Sequence, residues 1–274
     1  MKFAFLLVTR GHPRRAGAVI ECARSLSSGQ HEIDFIVGCD NDDVKTNEYF
    51  HKNYSDVTVS IANRPIGVGA VWNRCAALVD ADYYCPFPDD SFIGLPDWDD
   101  YIAQLGADII AWNDLANPGQ CTLPVVSRNW MSLTGELYDG RFPFWFYDTC
   151  VDELFSFVTG QPVPRQSELL LVAKKGLTQS LRDLPFWWEF YIATRKDRLE
   201  KAKEIRAKVG IELQNSAIQA ALAMWNRRDI DGRAHAADIE AFMSADRNKP
   251  PSMQYLRAKA NAEAYMKALQ ETET

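Results

Sequence analysis

Two adjacent aspartates end an aromatic, strand-like run within the segment DADYYCPFPDDSFIGLPDW, residues 80–98. Asp89 and Asp90 stand directly after Pro88, which closes the run Tyr83–Phe87. Carboxylates side by side repel each other, so their charge has to be offset. Solvent at an ordinary aspartate–proline turn would do this. A divalent cation would also do it, because Mg²⁺-type ions prefer oxygen ligands and often use only one or two carboxylates.

Three more polar clusters directly follow apolar runs of the N-terminal half. Ligands bind beyond the carboxyl ends of the strands in an open α/β sheet, so we expect these clusters to meet Asp89 and Asp90 at one edge. Each cluster alone also has an ordinary interpretation, such as a solvated loop or an Arg10–Asp40 ion pair. The three clusters are Thr9-Arg10-Gly11-His12, Asp40-Asn41-Asp42-Asp43 and Asn63-Arg64-Pro65-Ile66-Gly67.

The elements that must position these clusters alternate between strand and helix patterns. This alternation predicts an α/β layer fold with a mostly parallel sheet. The predicted strands are Phe3–Val8, Ile33–Gly38, Val57–Ile61, Tyr83–Phe87 and Asp108–Trp112. The predicted helices are Arg14–Ser27, Val68–Val79 and Asp99–Leu105, and a short helix or turn is predicted over Val44–Asn53.

The pattern changes after Ala116. A strand at Leu123–Ser127 and a helical turn at Asn129–Leu133 precede a dense aromatic stretch, Phe142–Tyr147. An amphipathic helix is predicted over Asp148–Val158, with Asp148 as its N-cap, because a carboxylate can accept from the free N–H groups there.

The C-terminal part has the composition of helices. Arg195–Val209 alternates Lys and Arg with Glu, which predicts a solvated helix. The other predicted helices are Ala217–Trp225, Ala234–Ser244 and Ser252–Gln270, with a break at Pro250–Pro251. We therefore predict two domains, residues 1–190 and a helical extension, residues 191–274.

Composition limits the function classes. The chain has 274 residues, 47% of them hydrophobic, and a net charge of −7, so a global basic field for nucleic acid is absent. The apolar run Phe3–Val8 is too short for a signal peptide, and no stretch approaches the ~18 apolar residues of a membrane span. Six cysteines without a CxxC pair predict reduced thiols in a cytoplasmic protein.

The motifs FLLVTRGHP, FIVGCDNDD and NRPIGVGAVWNRCAALVDADYYCPFPDDS together resemble the GT-A glycosyltransferases, especially their inverting, family 2-like group. The later FPFWFYDTCVDELF looks like the acceptor-side segment of that family. The resemblance covers roughly residues 3–160. It implies a GT-A fold, in which a Rossmann-like, mostly parallel sheet carries flanking helices.

The resemblance also implies an activity and a set of site residues. A sugar would move from a nucleotide-diphosphate sugar to a hydroxyl acceptor by direct displacement with inversion, assisted by Mn²⁺ or Mg²⁺. Asp90 and Asp89 would hold the metal. Asp148 would be the general base, with Asp152 one turn later as its rival. The donor-binding residues would be Thr9, Arg10, Asp40, Asp42, Asn73 and Asp89.

The sequence departs from the family pattern at three points. Pro88-Asp89-Asp90 replaces a strict DxD, and His12 stands where the family has an arginine. Many members also have a late histidine that binds the metal, and only His235, in the helical tail, is available here, so it is not assigned. Two alternatives therefore stay open. One is a nucleotidyltransferase, although such enzymes carry a richer glycine loop after the first strand than Gly11 alone. The other is a degenerate module that binds a nucleotide sugar or a glycan. The acceptor could be a glycan, a protein, a lipid-linked sugar or a modified nucleobase.

Overall fold

The computed structural model describes residues 1–63, 67–115, 117, 119–173, 182–243 and 253–272. Contacts divide the chain into two compact units. The first comprises residues 1–138 and 163–175, and the second comprises residues 139–162 and 176–274. This division differs from the predicted boundary at residue 190, because the aromatic stretch and the helix after it pack with the C-terminal helices. A functional extension over residues 191–274 stays a prediction.

The first unit is an α/β layer structure around one eight-stranded sheet, with the order β3-β2-β1-β4-β7-β6-β8-β5. The strands are β1 Lys2–Val8, β2 Glu32–Asp40, β3 Val57–Ala62, β4 Tyr83–Pro88, β5 Ser91–Ile93, β6 Ile109–Asp114, β7 Val125–Ser127 and β8 Arg165–Ala173. Its helices are α1 Pro13–Ser25, α2 Val44–Asn53, α3 Val68–Ala76, α4 Trp98–Leu105 and α5 Arg128–Thr134. The predicted α/β class is confirmed.

One half of the sheet is parallel and the other half is mixed. Neighbouring strands from β3 through β2 and β1 to β4 are all parallel. Strand β7 is antiparallel to both β4 and β6, so β6 points in the same direction as β4. The sequence did not predict β5 or β8, which pair with each other antiparallel. A three-residue strand and a strand that begins with polar residues carry little periodic signal.

The central position of strand β1 in the sheet accounts for its apolar composition. Its residues from Phe3 to Leu7 are fully buried, as expected for a strand covered on both faces. The indole N–H groups of Trp72 and Trp98 donate to backbone carbonyls at 3.0 Å, so these large side chains are buried without losing a hydrogen bond. At Gly38 a Cβ would lie 2.4 Å from Val71 Cγ1, so glycine allows α3 to pack tightly on β2.

The second unit is helical. Its helices are α6 Tyr147–Thr159, α7 Leu184–Ala193, α8 Arg195–Val209, α9 Asn215–Met243 and α10 Met253–Thr272. The helices predicted separately over Ala217–Trp225 and Ala234–Ser244 belong to one continuous helix, α9, as far as Met243, and Ser244 lies outside the described residues. The predicted break at Pro250–Pro251 lies outside the described residues. Within the described parts of the chain, no helix is long and apolar enough to cross a membrane.

Helix α8 is only partly solvated, which corrects the expectation for Arg195–Val209. Arg195 and Arg198 are buried and both donate to the carboxylate of Glu153, which is fully buried on α6. Arg195 also pairs with Asp229 on α9. Buried charges need such partners, because removal from water costs several kcal/mol for each ion. The interleaved charges of this helix therefore serve its packing as well as its solubility.

This network predicts a large effect of Glu153→Gln. The substitution leaves two buried guanidinium groups without their shared carboxylate, so we expect a loss of about 3–5 kcal/mol in the free energy of unfolding. Urea unfolding followed by circular dichroism measures this loss. The matched control is Glu200→Gln on the exposed face of α8, where we expect a change within about 0.5 kcal/mol. Equal stability of the two variants would contradict the assigned network.

Candidate functional site

Three of the four polar clusters meet at one edge of the sheet in the first unit. Val8 lies opposite Gly38 on one side and Pro88 on the other, so β1 and β4 end at the same level and β2 continues for two more residues, to Asp40. The clusters that begin at Thr9, Asp40 and Asp89 therefore share this carboxyl edge. In the fourth cluster, the Asn63 carbonyl accepts from Asn41 Nδ2 at 2.6 Å. Arg64, Pro65 and Ile66 lie outside the described residues.

Asp89 joins two elements of this edge. One of its carboxylate oxygens accepts from Thr9 Oγ1 at 2.5 Å, and the other accepts from Arg15 Nη2 at 2.5 Å. The side chain is buried, so its charge depends on the Arg15 guanidinium. Both carboxylate oxygens of Asp89 already accept hydrogen bonds from the protein. Asp89 is therefore better suited to orienting the loop after β4 than to binding a metal ion.

Sequence reasoning missed Arg15 as a site residue. The signal was its position in the first turn of α1, the helix that follows β1. A helix after a parallel strand begins at the strand's carboxyl end, so its first side chains lie near the candidate site. The positive end of the helix dipole adds to the attraction for negative charge at the same place.

Asp90 differs from its neighbour. Burial, and then the charge of Asp89, raises the pKa of its carboxyl group above the ordinary value, although Arg15 and His12 act in the opposite direction. Within the described residues, no cationic side chain forms an ion pair with Asp90. Its carboxylate is therefore the one that a cation would stabilise most, which fits the predicted metal role of Asp90 better than that of Asp89.

Among the described residues, the acidic side chains do not form a complete metal site by themselves. No group of three His, Cys, Asp or Glu side chains in the described part of the chain is placed to hold a metal ion. Mg²⁺ and Mn²⁺ can nevertheless bind through one or two carboxylates when substrate phosphates and water supply the other oxygens. Asp90 fits this mode of binding.

Arg10 is held by two carboxylates of the β2 loop. It donates to Asp40 Oδ2 at 2.5 Å and to Asp42 Oδ2 at 2.6 Å. The Arg10–Asp40 pair expected as the ordinary interpretation is therefore present. Asp43 caps α2 through Thr46 and also accepts from the N–H of Gly11 at 2.7 Å. These contacts link the loops after β1 and β2 into one polar surface.

The side chain of Asn73 forms hydrogen bonds with the protein backbone. Its Nδ2 donates to the Tyr138 carbonyl at 2.7 Å, and its Oδ1 accepts from the Tyr138 N–H at 2.9 Å. The paired contacts fasten the chain around Tyr138 to helix α3. A direct contact between Asn73 and a donor stays a prediction, and the geometry favours a positioning role.

The second unit contains Asp148, the candidate base. Asp148 is the second residue of α6 and not its N-cap, so that prediction is wrong. The N-cap is Phe146, which has a left-handed backbone with φ 67° and stacks on Tyr191 with ring centroids 4.8 Å apart. Aromatic packing thus sets the start of the helix one residue before Asp148. The Asp148 carboxylate accepts from the N–H of Thr149 at 2.7 Å.

The environment of Asp148 suits a proton acceptor. The residue keeps some accessible surface, but protein surrounds its carboxyl group, and this burial raises its pKa to about 6. The Thr149 hydrogen bond and the charge of Arg228 act in the opposite direction. A base works best when its pKa lies near the operating pH. Asp152, the rival, is only 1% exposed, so an acceptor hydroxyl reaches it less easily than Asp148.

Comparisons with known proteins support the fold. Neither family models nor curated proteins match the chain. Among solved structures, S. aureus TarS is similar with a TM-score of 0.57 and 11% identity, over 86% of this chain and 44% of that one. Its fragment 1–349 in complex with UDP has a TM-score of 0.57 and 14% identity, over 84% and 72% of the two chains.

A third similar structure comes from another organism. The mannosyltransferase PcManGT from Pyrobaculum calidifontis, in complex with GDP-Man and Mn²⁺, has a TM-score of 0.51 and 10% identity, over 96% of this chain and 87% of that one. The chain therefore has a GT-A glycosyltransferase fold, as the resemblance implied, and it spans less than half of the first TarS chain that it matches.

The raised pKa of Asp148 predicts that Asp148→Asn stabilises the protein at high pH. A folded-state pKa of about 6 against an ordinary 3.8 favours the neutral acid, so this contribution is complete below pH 3.8 and is lost as the pH rises through 6. Asparagine stays neutral and can still accept from Thr149. We expect a gain of about 1–3 kcal/mol at pH 8 that vanishes near pH 4.

Urea unfolding at several pH values measures this difference. The control is Asp238→Asn, which makes the same change at an exposed position of α9 and should show no such pH dependence. A gain that is equal at pH 4 and pH 8 would contradict the assigned pKa.

Proposed function

We propose that the protein is a glycosyltransferase that moves a sugar from a nucleotide-diphosphate sugar to a hydroxyl acceptor. The observation that carries the proposal is the polar surface at the carboxyl edge of β1, β2 and β4. There Thr9 contacts Asp89, and Arg10 contacts Asp40 and Asp42. Ligands of open α/β sheets bind at this edge, and the fold is shared with TarS 1–349, which was solved with UDP-GlcNAc.

On the donor side, Thr9 and Arg10 line the nucleotide pocket, and Asp40 and Asp42 lie beside them. Arg15 joins this set as a cation beside Asp89 that faces the negative charge of a diphosphate. Asp90 would hold a Mn²⁺ or Mg²⁺ ion, with Asp89 contributing mainly orientation. When bound, such an ion neutralises charge on the leaving diphosphate. The presence of Mn²⁺ in the PcManGT structure supports this choice of metal.

On the acceptor side, Asp148 takes the proton from the attacking hydroxyl. The new bond forms between the acceptor oxygen and the anomeric carbon while the bond to the diphosphate oxygen breaks. A single displacement of this kind inverts the configuration at that carbon, and no covalent enzyme intermediate is needed.

The six free cysteine thiols support the predicted cytoplasmic location.

The first test is a thermal-shift panel of UDP, GDP, CDP, dTDP and their sugars with Mn²⁺, Mg²⁺ or EDTA. A ligand that binds only the folded state raises the melting temperature by mass action. At a ligand concentration of 100 times its Kd, the free energy of unfolding rises by about 2.7 kcal/mol. We expect a metal-dependent shift for one nucleotide and its loss in Asp90→Asn, because an amide cannot balance the charge of the cation. A wild-type shift in that variant, with metal still required, would remove Asp90 from the site.

Turnover is the test of Asp148. We expect Asp148→Asn to bind the donor like the wild type and to lose at least about 100-fold in kcat, the typical contribution of a general base. The wild-type kcat should rise with pH through about 6, since the base must be ionised to accept a proton. The control Asp238→Asn should keep wild-type turnover. Loss of donor binding in Asp148→Asn would show that the assignment of the base is wrong.

A second candidate function is a module that binds a nucleotide sugar without transferring it. The observation in its favour is that protein groups already occupy both oxygens of Asp89 and that two carboxylates hold Arg10. Metal-dependent hydrolysis of the donor separates the two functions. A thermal shift without any hydrolysis or transfer would favour the binding module.

A further inference from the structure

Arg182 is a part-buried cation of the second unit, and no carboxylate among the described residues forms an ion pair with it. Two other arginines of this unit do pair with carboxylates, Arg141 with Asp139 and Arg195 with Glu153. Among the described residues, no group accepts a hydrogen bond from the Arg182 guanidinium. The guanidinium carbon lies 4.0 Å from the centroid of the Phe144 ring, so the guanidinium makes a cation–π contact with this ring.

Two carboxylates next to Arg182 have other partners: Glu240 accepts from the Arg182 backbone, and Asp183 follows Arg182 in the chain. Glu240 is buried, and both of its oxygens accept from backbone N–H groups, those of Arg182 itself and of Leu184 at the start of α7. Asp183 caps the same helix and forms an ion pair with Lys259 at 2.5 Å. Neither carboxylate forms an ion pair with the Arg182 guanidinium. Burial lowers the pKa of Arg182 below its ordinary value, while Tyr147 and Glu240 act in the opposite direction.

An unpaired cation at this position is costly for the folded protein. Removing a charge from water is unfavourable unless a counter-charge or hydrogen bonds replace the hydration. A planar guanidinium that is stacked on a ring is also preorganised, since its donors keep a fixed fork that matches phosphate and carboxylate oxygens. The cost and the preorganisation both point to an external anion.

Phe144, on which the Arg182 guanidinium stacks, packs against a larger aromatic cluster of the second unit. Phe144 and Trp145 are part-exposed members of the aromatic core of the second unit, as are Tyr147 and Trp188. The indole N–H groups of Trp145 and Trp188 are buried and have no acceptor among the described residues. The rings of this cluster offer flat apolar faces for the carbon skeleton of a sugar or polyol.

We propose that Arg182, stacked on Phe144, binds an oxyanion, a phosphate or a carboxylate, carried by the acceptor molecule. The assignment of this anion to an acceptor rests on the proposed transferase function, whereas the anion site itself does not. The acceptor class is then an anionic glycan or polyol. A neutral sugar chain would leave the Arg182 guanidinium unpaired.

The test measures anion binding to the full chain by isothermal titration calorimetry at constant ionic strength. The probes are inorganic phosphate, glycerol 3-phosphate and glucuronate, with glycerol and glucose as their neutral counterparts. We expect wild-type protein to bind at least one anion and neither neutral compound. Arg182→Gln should raise the Kd at least about tenfold, the usual worth of a charged hydrogen bond.

Two further variants make the result specific. Arg182→Met removes the charge but keeps an unbranched apolar side chain over Phe144, so it reports on binding if the glutamine variant does not fold. Arg233→Gln is the matched control. It removes the same charge from a half-exposed ion pair with Glu189 in the same unit and should leave the Kd unchanged.

The outcomes separate the two proposals. Phosphate-only binding identifies a phosphorylated acceptor, and glucuronate-only binding identifies an acidic sugar; both support the site. Failure of wild-type protein to bind any anion, or an unchanged Kd in folded Arg182→Gln or Arg182→Met, overturns it. Nucleotide shifts are measured independently of Arg182. Their absence would count against the transferase while loss of anion binding in the Arg182 variants would still support the anion site.

Discussion

The contacts of Asp89 organise the candidate donor site. Its buried carboxylate receives the hydroxyl of Thr9 at the end of β1 and the guanidinium of Arg15 in the first turn of α1. One side chain thus joins a strand, the helix after it and the end of β4. A buried carboxylate needs these donors, because ionisation inside a protein is otherwise too costly. The requirement keeps the loop after β4 in place and leaves Asp90 beside it with its charge uncompensated by an ion pair in the described chain.

The second unit solves the same electrostatic problem on a larger scale. Glu153 receives Arg195 and Arg198, so three charges are buried together and helices α6 and α8 are held in register. Arg141 links Asp139 to Asp197 on α8 in a similar way. These three arginines are paired with carboxylates. Arg182 contacts the Phe144 ring and forms no ion pair among the described residues, and burial raises the pKa of Asp148, so pairing of this kind does not explain either charge.

Unpaired charges that are partly buried lower the stability of the folded protein, and a functional role would explain why they are retained. Neutral replacements of Asp90 and Asp148 should relieve unfavourable burial, because folding disfavours the ionised form of each carboxyl group. Natural proteins retain such destabilising groups chiefly where binding or catalysis needs them. The uncompensated charges differ in sign. Carboxylates suit a cation and a proton, and a guanidinium suits an oxyanion, so each proposed role follows from the charge that remains unpaired.

The sequence by itself determined the α/β class, the mostly parallel sheet that contains β1 to β4, and the polar clusters at the ends of these strands. These features depend on local periodicity and on the rule that parallel strands end at one edge. Only the tertiary structure decided the rest. Strands β5 and β8, the continuous helix α9 and the grouping of residues 139–162 with the C-terminal helices depend on long-range packing. The partners of Arg15, Arg195 and Arg182 depend on it too, because a charge in a sequence shows its sign but not what it will face.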